Sequence, residues 1–135
     1  MGFAAESLTT SDAAEEARWQ GDSTLIWLVR LSVGALVKLA PASTHYLYKS
    51  KISFAMKDAS NARLNAVALP PSLTKMDPFL GEQEIYGQPV QISLPLAREP
   101  GKPAKFTLVA TYQGCNEKIG LCYSPIETPF EFKLP

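Results

Sequence analysis

From Leu25 onward the apolar positions of the chain recur with a period of two. Leu25, Trp27, Val29, Leu31, Val33, Ala35, Val37 and Leu39 share one parity, while Arg30, Ser32, Gly34 and Lys38 fall on the other. That alternation predicts one long strand, or two broken near Gly34, with the odd positions facing a core. Pro41-Ala42-Ser43-Thr44 follows as a turn signal. A second alternating stretch, from His45 to Met56, puts Tyr46, Tyr48, Ile52, Phe54 and Met56 on one face. Residues 57–81 read as irregular, with Pro70-Pro71 and Asp77-Pro78 among them. Val90, Ile92, Leu94 and Leu96 define another strand face, and Pro95 predicts that this strand lies at an edge or ends early. Residues 98–105 read as a turn. Phe106, Leu108, Ala110 and Tyr112 form the next face, and Phe130 to Leu134 closes the chain as a final strand.

Several short alternating strands separated by turn signals predict an all-β fold, an antiparallel β-sandwich. With 135 residues the chain fits one domain of common size and is long enough to bury a core unaided. Residues 1–22 stand apart in composition as an N-terminal arm. Within it, Ser11-Asp12-Ala13-Ala14-Glu15-Glu16 reads equally as a short helix capped by Ser11 or as a loosely held segment. The sandwich then occupies 23–135.

Charge narrows the function classes. Lys plus Arg equals Asp plus Glu, 13 of each, which argues against nucleic acid and against an anionic membrane surface. The most apolar run, Leu25 to Ala40, contains Arg30 and Lys38 and is too short and too charged to insert in a membrane. No leader peptide is legible, and Met1-Gly2 reads as the start of a chain already trimmed of one, so the chain reads as a fragment of something larger.

The remaining chemistry sits in Gly114-Cys115-Asn116-Glu117-Lys118-Ile119-Gly120-Leu121-Cys122-Tyr123. A strand enters, Gly114 relaxes the backbone, Gly120 permits a return, and two cysteines can meet at the base of the loop. Antibody-type domains space their cysteines several dozen residues apart, whereas these are seven apart, so the pair is not an inter-sheet pin. Two readings stand. As a passive staple, a loop of about eight residues gains roughly 2.5 kcal/mol, against roughly 4 for one of about sixty. As a redox pair, a small loop near the surface keeps a disulfide open to an attacking thiolate. A closed zinc site is hard to build, since His45 is the single histidine and no second cysteine pair exists. His45 itself reads as a polar surface residue. A Ser-His-Asp hydrolase lacks its Gly-x-Ser-x-Gly turn.

Thr111-Tyr112-Gln113-Gly114-Cys115, with Gly120-Leu121-Cys122-Tyr123-Ser124-Pro125, resembles the active-site segment of the amino-terminal periplasmic domain of DsbD, the thiol:disulfide interchange protein of Gram-negative bacteria. Tyr46-Leu47-Tyr48-Lys49 is similar to the family's Tyr-x-Tyr strand. Asp77-Pro78-Phe79-Leu80-Gly81, then Glu84-Ile85-Tyr86, is similar to its cap-loop region. The resemblance runs from about Val37 to the end of the chain.

The resemblance implies an immunoglobulin-like fold with the cysteine pair at one end. It implies a shuttle that takes electrons from the thioredoxin-like domain of the same parent protein, which a transmembrane domain feeds. The electrons then pass to periplasmic thioredoxin-fold oxidoreductases that isomerise disulfides or serve cytochrome c maturation. The expected location is the periplasm, as a domain of an inner-membrane protein, with no cofactor and no metal. Cys122 maps to the cysteine that forms mixed disulfides and Cys115 to the one that resolves them. Tyr46, Tyr48 and Tyr123 surround the pair, and Asp77, Pro78, Phe79, Leu80 and Gly81 map to a cap loop with Phe79 as the shield. Asp77 beside the reduced pair would hold the thiols protonated. Two departures stand out: the loop between the cysteines is one residue longer than the family pattern, and Pro78 replaces a second acid. Without the resemblance, the alternative is a non-redox periplasmic binding sandwich with a structural disulfide.

Overall fold

In the computed structural model, which describes residues 14–20, 24–31 and 34–134, short strands account for nearly all regular structure. They are β1 (Ala14–Gln20), β2 (Thr24–Leu31), β3 (Gly34–Pro41), β4 (His45–Tyr48), β5 (Ser53–Ser60), β6 (Ala62–Leu64), β7 (Leu73–Asp77), β8 (Gly81–Tyr86), β9 (Val90–Arg98), β10 (Ala104–Tyr112), β11 (Gly114–Asn116), β12 (Leu121–Cys122) and β13 (Ile126–Leu134). A single 3-10 turn, Lys49–Lys51, separates β4 from β5. Every strand pairing is antiparallel. One sheet runs β1-β2-β3-β9-β6, a second β13-β10-β5, and a third β12-β11-β4-β8-β7.

The first two sheets make the sandwich. Ile26, Leu28, Val37, Leu39, Ile92 and Leu94 from the first meet Phe106, Leu108, Ala110, Phe130 and Phe132 from the second in one core cluster. The Phe106 and Phe132 rings stack at 4.6 Å between centroids. In the third sheet, β4 and the end of β8 are buried on both faces. Leu47 and Tyr86, directly paired, belong to the main core. Their neighbours Tyr46, Tyr48 and Ile85 form a second, smaller cluster with Cys115, against which Cys122 packs. Strand alternation thus makes β4 and β8 a wall between the sandwich core and the cysteine site.

The face of the first long strand differs from its expected one. Thr24, Ile26 and Leu28 are buried in β2, where the odd-numbered positions were expected to face the core, while Ala35, Val37 and Leu39 are buried in β3 as expected. The reason is register. β2 and β3 are two strands, and Ile26 lies opposite Leu39 and Leu28 opposite Val37. Opposite residues share a face, so the pairing matches odd positions of β3 with even positions of β2.

Three further expectations change. The two readings left open for Ser11 to Glu16, a short helix or a loosely held segment, both give way over Ala14–Gln20 to β1, whose seven residues all pair with β2. The pairing offers this short segment a backbone partner that an isolated turn of helix would lack. Ser11, Asp12 and Ala13 lie outside the described residues. The His45 to Met56 stretch does not share one face, because the 3-10 turn sends β4 and β5 to different sheets. Phe54 and Met56 pack on the main core and the two tyrosines on the smaller one. Within 57–81, β6 and β7 are regular strands.

Pro95 neither ends β9 nor puts it at an edge. It closes the pairing with β3 opposite Gly34, and pairing with β6 begins at Leu96. Its carbonyl accepts from the Asn65 N–H at 2.9 Å, beyond the end of β6. The missing proline N–H points to that same side, where the ladder has stopped.

The flipped register carries an expected outcome. Ile26→Ala should lower the unfolding free energy in urea by about 2–5 kcal/mol, the range for truncating a buried aliphatic side chain. A loss below about 1 kcal/mol would return the core of β2 to the odd positions.

Candidate thiol–disulfide exchange site

β11 and β12 form the hairpin that the cysteine spacing implies. Cys115 lies opposite Cys122, Asn116 opposite Leu121, and a disulfide joins the two cysteines. The turn between them closes with the Gly120 N–H donating to the Asn116 carbonyl at 2.9 Å. Gly120 adopts φ +67, the left-handed region that glycine enters without penalty. Gly114 has a different task from loosening the backbone. A β-carbon there would lie 2.9 Å from the Tyr46 carbonyl oxygen, so its absence lets β11 close onto β4 with Cys115 opposite Tyr46.

The two sulfurs are unequally placed. Cys115 is 1% exposed, while Cys122 is half-buried on a two-residue strand at the edge of the third sheet. The Tyr48 hydroxyl oxygen lies 3.0 Å from Cys115 Sγ and 3.3 Å from Cys122 Sγ.

Behind Tyr48 sits Asp77, 2% exposed and the only buried charged side chain among the described residues. Its Oδ2 accepts from the Tyr48 hydroxyl at 2.8 Å and from the Tyr46 hydroxyl. Its Oδ1 accepts from the backbone N–H groups of Phe79 and Leu80 at 2.7 and 2.9 Å. Asp77 therefore opens the cap turn with one oxygen and faces the sulfurs' tyrosine with the other. Burial by itself pushes its carboxyl pKa up, but the two hydroxyls and two N–H groups outweigh that and hold it below the usual value. The same burial, with the nearby carboxylate as acceptor, pushes Tyr48 up to about 12 and raises Tyr46 further. Both phenols stay neutral and keep their protons for donation.

Pro78, Phe79 and Leu80 form the turn between β7 and β8, with Asp77 opposite Gly81 at its base. Phe79 and Leu80 are exposed, at 56% and 48%. Lys75, one strand position before Met76, bridges the cap strand to the cysteine loop. Its Nζ pairs with Glu117 at 3.0 Å and lies 5.5 Å from the centre of the Tyr46 ring.

Tyr123 lies beside the pair on the chain that leaves Cys122. Its ring stacks on His45 at 5.7 Å, and its hydroxyl is 2.9 Å from His45 Nε2. His45 Nδ1 is 2.9 Å from the Ser43 carbonyl. Sequence reading assigned His45 no part here; its position one residue before the Tyr-x-Tyr pair was the available signal. Reading by alternation also missed Leu73, Met76, Ile119 and Leu121. With Phe79 and Leu80 these make up all the exposed large hydrophobic side chains among the described residues, and all six belong to the cap turn, β7 or the cysteine loop.

Asp77, Cys115 and Cys122 place potential ligand atoms within 4.8 Å of one another. Disulfide sulfurs are not thiolates, however, and the carboxylate already accepts four hydrogen bonds. This arrangement suits disulfide chemistry better than a metal.

Residues 30–134 match the family model described as the N-terminal part of the thiol:disulfide interchange protein DsbD. The chain belongs to this family. DsbD 1 of Pseudomonas aeruginosa is 35% identical over 96 residues, covering 71% of this chain and 16% of that protein. DsbD of Neisseria meningitidis is 36% identical over 98 residues, covering 73% and 16%. The chain thus spans about a sixth of the length of these curated relatives. The reduced DsbD N-terminal domain of Neisseria meningitidis superposes with a TM-score of 0.70 at 29% identity, covering 95% of this chain and 91% of that one. A DsbD N-terminal domain in complex with the PilB N-terminal domain, from the same organism, gives 0.64 at 29% identity, covering 97% and 91%. The fold is the immunoglobulin-like one of DsbD N-terminal domains, with the cysteine pair at one end.

The electrostatics of Asp77 set a pH dependence. A carboxyl whose folded pKa is depressed adds stability that is complete above its unfolded value and lost as pH falls through the folded value. The stability of the wild-type domain should therefore drop more steeply than that of Asp77→Asn between about pH 4 and pH 2 in urea titrations. Parallel curves would mean that the carboxyl titrates alike in both states.

Proposed function

We propose that this domain is a periplasmic thiol–disulfide exchange module of a larger inner-membrane protein, with residues 23–135 as the working unit. A thiolate of the parent's thioredoxin-like domain, itself fed by a transmembrane domain, attacks Cys122 Sγ. The Cys122–Cys115 bond breaks, Cys115 leaves as thiolate, and a mixed disulfide forms. The partner's second thiolate then attacks its own sulfur in that mixed disulfide and frees Cys122. Two electrons and two protons have moved, leaving the domain reduced and the donor oxidised. Run in the opposite direction against an oxidised thioredoxin-fold oxidoreductase, the same steps deliver the electrons to disulfide isomerisation and cytochrome c maturation. The step needs no cofactor, since the cysteine pair carries both electrons.

One observation carries this reading: a disulfide with one partly accessible sulfur on an edge strand, with all six exposed large hydrophobics of the described residues carried by the cysteine loop, the cap turn and β7. Exposed apolar side chains gathered on these few elements suit a surface that a partner covers. A structural staple would need no apolar surround, and closing a loop of about eight residues constrains the unfolded chain less than a long one would. The complex of a related DsbD N-terminal domain with another protein's domain adds support.

Within this reading the turn Asp77-Pro78-Phe79-Leu80-Gly81 is a lid that a partner displaces, with Phe79 as its shield. Asp77 raises the pKa of the reduced thiols by like charge, with Tyr48 between carboxylate and sulfurs. A protonated pair holds its electrons until the right partner arrives.

Cys115→Ser is expected to accumulate a mixed disulfide with a thioredoxin-fold partner through Cys122, visible on non-reducing gels. Accumulation with Cys122→Ser instead would reverse the assignment, and accumulation with neither would favour the staple. Two further variants separate the lid from the charge. Phe79→Ala should speed reduction by dithiothreitol several-fold, and an unchanged rate would end its shielding role. Asp77→Asn should lower the apparent pKa of the reactive thiol, followed by its absorbance as thiolate; no shift would leave Asp77 as a turn residue.

A further inference from the structure

We propose that His45, acting through Tyr123, is a positioning residue that keeps Cys122 within reach of Cys115 once the disulfide is open. The inference rests on the exchange reading above and assigns a residue that the reading itself does not require.

β12 is two residues long and lies at a sheet edge, with only two paired positions to hold it. In the oxidised domain the disulfide fixes Cys122 covalently. In the reduced domain that bond is gone, and the anchors of the next residue become decisive. Tyr123 has three. Its N–H donates to the Gly114 carbonyl at 3.0 Å, its carbonyl accepts from Gln113 Nε2 at 3.0 Å, and its side chain meets His45. The first two tie it to the segment that carries Cys115. The third is its link to β4, the strand that lines the site.

The hydrogen-bond direction follows from the partners. The Ser43 carbonyl can only accept, so His45 Nδ1 carries the ring proton there. In the neutral ring Nε2 is then an acceptor, and the Tyr123 hydroxyl donates to it. The parallel stacking of the two rings adds contact area to that bond.

Resolution of a mixed disulfide needs this placement. Cys115 thiolate must attack Cys122 Sγ in line, forming the Cys115–Cys122 bond and expelling the partner's sulfur as thiolate. The rate depends on how often the two sulfurs meet, an effective concentration that local order raises. Removing the His45 contact costs the oxidised state the whole contact. The reduced state loses the same contact but regains freedom in the segment around Cys122. The disulfide is therefore weakened relative to the dithiol.

The test is redox equilibration of the isolated domain with glutathione, together with partner release from a mixed disulfide formed at Cys122 with Cys115 intact and the partner's second cysteine replaced by serine. His45→Ala and Tyr123→Phe should each make the disulfide easier to reduce by up to about fivefold, the net worth of one hydrogen bond. That corresponds to a potential less negative by up to about 20 mV for a two-electron couple. Each should slow partner release by a similar factor, and the double variant should add little to either single one. His45→Gln, whose amide oxygen can accept from Tyr123, should restore both values. A lower melting temperature with unchanged potential and release would overturn the proposal by making the contact merely structural. So would failure of His45→Gln to rescue. The glutathione arm is readable without any partner, so a wild-type domain that reduces no thioredoxin-fold protein would sink the exchange reading separately.

Discussion

Taking an ionised carboxylate out of water costs several kcal/mol unless its oxygens find donors, and Asp77 finds four. Two come from side chains of β4 and two from the backbone of the cap turn. The carboxylate therefore joins the lid to the strand that carries the tyrosines, and through Tyr48 it reaches within one residue of both sulfurs. Without it the cap turn would lose its root and two buried phenols would lose their acceptor. At the tip of the same turn the Phe79 and Leu80 backbone is tied to that carboxylate while their side chains are exposed. In the exchange we propose, a large partner would displace those side chains while the root at Asp77 stays held.

The wall formed by β4 and β8 explains how the cysteine pair is kept beside a sandwich without entering its core. Each strand spends alternate side chains on opposite sides, Leu47 and Tyr86 inward, Tyr46, Tyr48 and Ile85 toward the cysteines. Polar hydroxyls then sit at the sulfurs while the main core remains apolar. Because the same strands serve both clusters, the sandwich core holds the exchange site in register.

Much of this was legible in the chain, and the failures have physical causes. The cysteine hairpin followed from spacing and Gly120, and the strand faces of β3, β9 and β10 followed from alternation. Alternation failed between Leu25 and Leu39, because parity carries through a continuous strand but need not carry through a hairpin. It failed again after Tyr48, where one 3-10 turn redirected the chain to another sheet. Asp77-Pro78 announced a turn, but nothing local revealed that the carboxylate is buried among tyrosines some thirty positions away. His45 looked like a polar surface residue because its partner, Tyr123, is 78 positions distant. Isolated apolar residues such as Met76 and Ile119 show no period, so their convergence on one end emerges only from the fold.

The two hairpins differ in how they tolerate a change of length. In β2 and β3 the paired positions extend back from the turn with a buried face on each strand. A residue inserted in either strand would slip the register and turn buried side chains to the opposite face. The cysteine hairpin has only two paired positions, and the four residues beyond them form an exposed turn outside the ladder. A residue added there alters neither the Cys115–Cys122 pairing nor the contact with β4. The extra residue that the resemblance implies for this loop would fall outside the ladder, in a turn held by the Glu117 N–H to the Thr44 carbonyl and the Gly120 N–H to the Asn116 carbonyl. Within one domain, evolution can lengthen the segment nearest the chemistry while the remote strands must keep count.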